Sequence, residues 1–396
     1  MTWGMCRRRW ADPMPLSDIR VIDLTRILAG PFCTQMLADM GADVIKIEPP
    51  AGDPVRGQGI IRDGVSWYFA QFNRNKKSVV LDLYTDEGKE TLARLIEGAD
   101  VLVENYRPGV LDKMGFDQAR LDALNPDLVV TSVNGYGSTG PYVDRPSFDF
   151  IAQAMSGFMS VNGADGGDPM RAAPPMSDLI AGLYAAFGTL AALHARKRIG
   201  KGQRVESSLT GGLISMLGYL SAEYFATGEV PKRTGNDHPI VAPYGLFTAS
   251  DGQVAVAPSN DAFVVRFLEC IGLGNLLEQP DYATNERRVR NRPALNEHIN
   301  ARMSEQPVDH WIEAINKAGC PCGRVMDLQE VFTDPQVLAQ DLVLDVPQPD
   351  GTTIRMTGFP VKLSDTPAQL RHPVPSLGGD TDQVLASLRP SVKKTG

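Results

Sequence analysis

Residues 19–133 repeat one pattern, an apolar run, a helix signal and another apolar run. "VIDL" (21–24) reads as a strand. Pro31 suits the first turn of the following helix, where a missing amide hydrogen is harmless, and Gly41 is its stop. "ADVIKIE" (42–48) is the next strand. A second unit follows, with "SVVLDL" (78–83), a helix over 85–97 and "DVLVEN" (100–105), and then a further strand in "DLVVTSV" (127–133). This alternation predicts an α/β fold, a mostly parallel Rossmann-like sheet covered by helices. Ligands of such sheets collect at the loops after the strands' carboxyl ends. Here those loops read "TRILAGP", "ENYRPG" and "NGYGSTGP", mixing glycine, amides and cations.

The rest of the chain predicts a second body. A long apolar helix starts near Asp178 and ends at "HARKRIGKGQ", where cations complement the helix dipole. "VESSLTGGLISMLGYLSAEYFATG" reads as a continuation in helix. "VAPYGLFTASDGQVAVAP" reads as strand, turn and strand, with Asp251-Gly252 turning. Residues 263–317 are helical and more charged. The expected domains are a large Rossmann-like one over 15–224, a smaller α+β one over 225–328, and a tail over 329–396 that returns to the first, with a last helix at 382–388.

Charge and cysteine usage narrow the partners. The net charge of −8 argues against nucleic acid or an anionic membrane, so a polyanionic ligand must meet local cations. The longest uncharged apolar run, 179–193, is shorter than the roughly 20 residues of a membrane span. Cys6, Cys33, Cys270, Cys320 and Cys322 make neither a disulfide framework nor a zinc site, which fits a reduced cytoplasmic chain with no metal. "MTWGMCRRRWADP" lacks the apolar core of a secretory signal and reads as an extension, with Met14 a candidate start.

Glu48 ends the second strand where dinucleotide folds place a ribose-binding acid. The preceding turn has no G-x-G-x-x-G, so a nicotinamide cofactor is not expected. Arg74, Lys76, Lys77, Arg107 and Lys113 cluster around strand ends, either as a solvated face or as a cradle for a phosphorylated ligand, with Tyr106 available to cover an aromatic base. Asp178 also has two readings. Ser177 or Asp178 can cap a helix that follows two prolines. Equally, a carboxylate kept ionised by the helix dipole can act as a nucleophile without a histidine beside it. The small residues Ala181, Gly182, Ala185 and Ala186 would let chain or ligand approach closely. His194, His298, His310 and His372 form no triad, and only His238, in a Gly/Pro-rich loop, suits a site.

"VIDLTRILAGPFCTQMLADMGADVIKIEPPAGDPVR", "FNRNKKSVVLDL", "ADVLVENYRPGVLDKMGF", "GYGSTGP" and "MSDLIAGLYAAFGTLAALHARKRIGKGQ" together resemble the class III coenzyme A transferases, a superfamily that includes the α-methylacyl-CoA racemases. The resemblance implies that Asp178 is a nucleophile forming covalent aspartyl intermediates. It implies CoA binding by the Ala29 backbone, Asn73, Lys76, Asn105, Tyr106, Arg107, Lys113 and Met114. A CoA thioester is then a substrate, with no permanently bound cofactor, and two chains form an interlocked, ring-like homodimer. Arg26 and Leu28 stand where formyl-CoA transferase has a histidine and a glutamine, and its glycine-rich flap is not apparent after residue 240, which points away from formate–oxalate exchange. Arg26, Leu28, Arg56 and His238 are candidates for contact with the acceptor acid. The "GNDHP…PYG" loop looks most like transferases that use succinyl-CoA and a small dicarboxylic or hydroxy acid. The alternatives are a racemase-like epimerase and a non-catalytic CoA-binding protein. A racemase needs a histidine thirty residues before its aspartate, and Phe148 stands there.

Overall fold

The computed structural model describes residues 14–388; Cys6 and the extension around it lie outside them. The first of two compact units comprises residues 14–158, 172–222 and 336–388. Its centre is a six-stranded sheet: β1 (Arg20–Asp23), β2 (Asp43–Glu48), β3 (Lys76–Val80), β4 (Val101–Glu104), β5 (Val129–Asn134) and β6 (Arg204–Ser208). All neighbours run parallel, in the order β3-β2-β1-β4-β5-β6. The strands carry continuous apolar runs because both faces are covered. One face packs Val21, Val44, Val103 and Val129 against α1 (Ala29–Asp39) and a later helix. The other packs Ile22, Ile45, Leu102 and Val130 against α2 (Asp86–Glu97).

Two expectations need correcting here. The strand over 78–83 is instead β3, two residues earlier, because Lys76 and Ser78 are buried and take internal partners. The continuous helix from Val205 to Gly228 is instead strand β6, followed by helices Leu209–Ser215 and Tyr219–Thr227. Its four polar residues in "RVESS" hide the strand; what fixes it is parallel pairing with β5 from Val130↔Arg204 to Asn134↔Ser208.

The tail comes back to the free edge of β3. Asp380 accepts from the Ser78 amide at 2.8 Å and Thr381 Oγ1 from the Val80 amide at 3.1 Å, so the edge's open donors are covered. A hairpin of Val343–Pro347 and Thr353–Thr357 packs Val346, Ile354 and Met356 on Val55, Phe69 and Ala70.

The second unit comprises residues 159–171 and 223–335. Its three-stranded antiparallel sheet (Gly245–Ala249, Gly252–Val256, Cys322–Arg324) packs under helices around Phe247, Phe267, Leu295 and Trp311. Residues 159–171, which the sequence places in the large domain, cluster with this unit. They belong here because Arg233 donates to the carbonyls of Ser160 and Gly167.

The long helix, α3 (Met176–Ile199), crosses the sheet beside α1. At Gly182 a Cβ would stand 2.5 Å from the Ala29 carbonyl oxygen and 3.1 Å from the Phe32 ring, so only glycine permits this backbone contact. A helix-interior Gly→Ala change ordinarily gains about 1 kcal/mol in propensity. Here overpacking, about 1–3 kcal/mol, opposes it with backbone that cannot swing away. Gly182→Ala is therefore expected to lower the urea unfolding midpoint; an increase would show that α1 and α3 are not in contact there.

Candidate active site

The strand order changes direction between β1 and β4, which leaves a crevice at their carboxyl ends. A cavity fills it. Its lining includes Arg26, Ile27, Leu28 and Ala29 after β1, Asn105, Tyr106 and Arg107 after β4, and Asn134 at the end of β5 with Gly135 and Tyr136 beyond it. Arg145, Phe148 and Asp178 complete the wall.

The first loop is held under strain. Ile27, a β-branched residue, has φ 72°, a left-handed conformation that costs on the order of 1–3 kcal/mol. Its amide donates to both carboxylate oxygens of Asp53, at 3.2 and 3.3 Å. Lys46 Nζ lies 3.0 Å from Asp53 and donates to the Thr25 carbonyl at 2.7 Å, with both side chains buried. The Asn105 amide brackets the same loop, accepting from the Arg26 amide at 2.9 Å and donating to the Arg26 carbonyl at 2.8 Å. The Arg26 guanidinium rests 5.8 Å from the Tyr106 ring centroid.

Asp178 sits half-buried in the first turn of α3, which has Pro175 at its N-cap and no side-chain cap. Neither Ser177 nor Asp178 caps this helix, which corrects that reading. The cap comes from outside. Asp149 accepts from the Ser177 amide and hydroxyl, both at 2.9 Å, and from Gln153 Nε2 at 2.8 Å. Gln153 Oε1 in turn accepts from the Ala172 amide at 2.8 Å, fixing the approach to Asp178. Burial, and then the Asp149 charge, push the Asp178 carboxyl from its ordinary 3.8 up to about 7. The helix dipole therefore does not by itself keep it ionised. A dipole worth about 0.3–1 kcal/mol moves a pKa by less than one unit, too little to offset burial beside a second carboxylate.

Arg26, Leu28, Ala29, Asn105, Tyr106, Arg107 and Asp178 meet in this one cavity. Other candidates lie elsewhere. Lys76 is buried, with Nζ bonded to Asp23 at 3.2 Å, Pro31 O at 3.0 Å and Asn73 Oδ1 at 2.9 Å; burial lowers its pKa to about 8. Asn73 is fully buried beside it. Arg56 clamps Glu48 through two bonds of 2.7 and 2.6 Å, so that acid serves the core. Arg74 pairs with Asp39, and Lys77 with Asp43. Lys113 is exposed at the end of helix Val110–Lys113, and Met114 packs on the core below it. His238 belongs to the second unit, where it packs on Tyr244 with ring centroids 4.8 Å apart and Nδ1 accepts from the Ile240 amide.

Three residues of the site escaped the sequence reading. Asp149 carries no motif beyond preceding a helix. Arg145, stacked 3.8 Å over Tyr142, was legible only as a cation in a Gly/Pro-rich loop. The Tyr68 phenol is pushed up to about 12 by burial and by the charges of Asp178 and Asp53. Among the described residues no cluster of three His, Cys, Asp or Glu side chains can hold a metal.

The model of CoA-transferase family III matches residues 16–381. The chain belongs to that family. It is 39% identical to succinate–glutarate CoA-transferase of Agrobacterium fabrum, over 94% of this chain and 96% of that protein. It is 37% identical to succinyl-CoA–D-citramalate CoA-transferase of Chloroflexus aurantiacus, over 95% and 94% of the two chains. A CaiB/BaiF family protein from Brucella suis has the same fold, with a TM-score of 0.85 and 37% identity over 95% of this chain and all of that one. The protein is a CoA-transferase, moving coenzyme A from an acyl-CoA to a carboxylate.

The raised Asp178 pKa gives this transferase a signed pH dependence. The folded state binds the proton more tightly than the unfolded chain, so this group's contribution to stability is full below pH 3.8 and is lost as pH rises through about 7. Asp178→Asn is expected to raise the unfolding midpoint at pH 8 relative to wild type, and much less at pH 4. The pH profile of kcat/KM should rise with an apparent pKa near 7. Asp149→Asn, which keeps an acceptor for Ser177, should move that pKa down; an unmoved profile would show that Asp149 does not act on it.

Proposed function

We propose that the transferase works through Asp178 as a covalent nucleophile. A carboxylate oxygen attacks the acyl-CoA carbonyl, the C–S bond breaks, and CoA thiolate leaves behind an aspartyl acyl anhydride. The thiolate then attacks the aspartyl carbonyl, releasing the donor acid and leaving an aspartyl–CoA thioester. The acceptor carboxylate displaces the thiolate to form a second anhydride. Attack of the thiolate on its acyl carbonyl yields the new acyl-CoA and frees Asp178. Each step exchanges a carboxylate for a thiolate, so no general base is needed. The observation that carries this reading is the cavity wall, where Asp178 is the one acidic side chain and Arg26, Arg107 and Arg145 are the cations.

In this reading Ala29, Asn105, Tyr106 and Arg107 bind CoA directly, and Lys113 meets its phosphates from the exposed helix end. Lys76 acts from beneath by holding the Pro31 carbonyl, and Asn73 by accepting from Lys76. The donor is succinyl-CoA or a similar thioester, and the acceptor a small dicarboxylic or hydroxy acid whose distal carboxylate meets a cavity arginine; the relatives' names support this. The four cysteines among the described residues are free thiols, which suits a reducing cytoplasm. No cofactor is retained between turnovers. Phe148, in the cavity wall with Asp178, offers no proton and so disfavours two-base epimerisation.

The test is a panel of acyl-CoA donors against carboxylic acids, read by mass spectrometry of new CoA esters. Succinyl-CoA with a dicarboxylate should give product, and Asp178→Ala should give none while still binding CoA. Substantial transfer by Asp178→Ala contradicts the mechanism, as does enzyme-dependent deuterium uptake at C2 of a 2-methylacyl-CoA in D₂O.

The functional form is proposed to be an interlocked homodimer. Leu183, Phe187 and Leu190 line one face of α3 and remain 50%, 69% and 40% exposed in a single chain. An apolar stripe of this kind on a helix is ordinarily covered. Sedimentation at nanomolar concentration, with circular dichroism, should find only folded dimer. A folded, active monomer would contradict the assembly and leave the Asp178 chemistry intact.

A further inference from the structure

The buried pair Lys46–Asp53 touches neither the cavity nor the proposed nucleophile, yet it holds the most strained backbone in the site. Four observations converge on it. Ile27 lines the cavity at φ 72°, a conformation that β-branched side chains oppose. Its amide is held by both Asp53 oxygens. Lys46 ties Asp53 to the Thr25 carbonyl, so one ammonium group links the backbone entering the loop to the acid that holds the strained residue's amide. Two residues on, the Ala29 carbonyl lies against Gly182, one turn along α3 from Asp178.

We propose that Lys46 and Asp53 are positioning residues for the transfer reaction, clamping Ile27 so that the Ile27–Leu28–Ala29 backbone keeps its place against the Asp178 turn. A fully buried ion pair is weak stabilisation, since desolvation consumes most of its attraction. Its use here is directional: without it Ile27 relaxes to negative φ and swings the cavity wall. Glycine has no such preference and can hold the same conformation unclamped. The clamp is therefore needed because position 27 is isoleucine.

This inference rests on the Asp178 reading, and the experiment separates the two. Transfer kinetics are measured for Asp53→Ala alone and combined with Ile27→Gly, with thermal unfolding of each. Asp53→Ala should lose about 100-fold in kcat, the scale of a misplacement near 1 Å, with KM for the acyl-CoA changed far less. The double variant should recover about tenfold or more over Asp53→Ala. A merely structural pair would lower stability without that kcat-specific loss or its rescue by glycine. If Asp53→Ala does not fold, the paired variant Lys46→Met with Asp53→Leu, which removes the acceptor for the Ile27 amide and strands no charge, takes its place with the same two readouts. Unchanged kcat in the single variant, or no recovery in the double, overturns the clamp while Asp178→Ala stays inactive. Activity in Asp178→Ala would instead overturn the nucleophile.

Discussion

Backbone meets backbone where Gly182 of α3 lies on the Ala29 carbonyl of α1, and the position of Asp178 follows from that contact. Helices that touch through side chains leave room for small shifts; two main chains at van der Waals distance leave almost none. The alanines around it, Ala181, Ala185 and Ala186, continue the close approach against Ala29, Cys33 and Leu37. Asp178 rides on the first turn of that fixed helix, and the loop after β1 begins the other. Asp178 and the loop that lines the cavity with it are thereby parts of one rigid pair.

Beneath the pair lies a rack of buried charge. Asp23 meets Lys76, Asp53 meets Lys46, Glu48 meets Arg56, and Asp39 meets Arg74. Each acid is held by further donors, such as the Thr34 hydroxyl on Asp23 and the Ser78 hydroxyl on Glu48, so removing either partner strands a buried charge. Apolar residues would fill this volume at less cost. What the ions add is direction, because their bonds end on the backbone of the cavity loops and on the returning tail. Arg56 reaches the Pro375 carbonyl and Asn75 receives the Arg371 and His372 amides, stitching distant sequence to the sheet.

The sheet was legible because its strands are apolar runs punctuated by glycine and proline, and the cavity because it must open at the carboxyl ends of such strands. Strand β6 was not, since "RVESS" has too little apolar character to signal an edge strand that pairing alone defines. The basic stretch at 74–77 misled both simple readings. Arg74 and Lys76 neither face water nor line the cavity, because their acidic partners lie more than thirty positions away in sequence. The Asp178 pKa failed for a similar reason. Helix position is local and readable, whereas burial beside Asp149, twenty-nine residues earlier, is a property of packing.

Taken together, the fixed helix pair, the clamped loop and the three cavity arginines describe a site that presents one carboxylate to an anionic thioester and then to an anionic acid. In the proposed mechanism, a carboxylate whose pKa lies near 7 is ionised often enough to attack. The most direct test is to incubate the protein with succinyl-CoA, quench with hydroxylamine, and map the modified peptide by mass spectrometry. The account predicts a hydroxamate at Asp178 that requires the thioester. No modification, or modification at another carboxylate with Asp178 untouched, would contradict it.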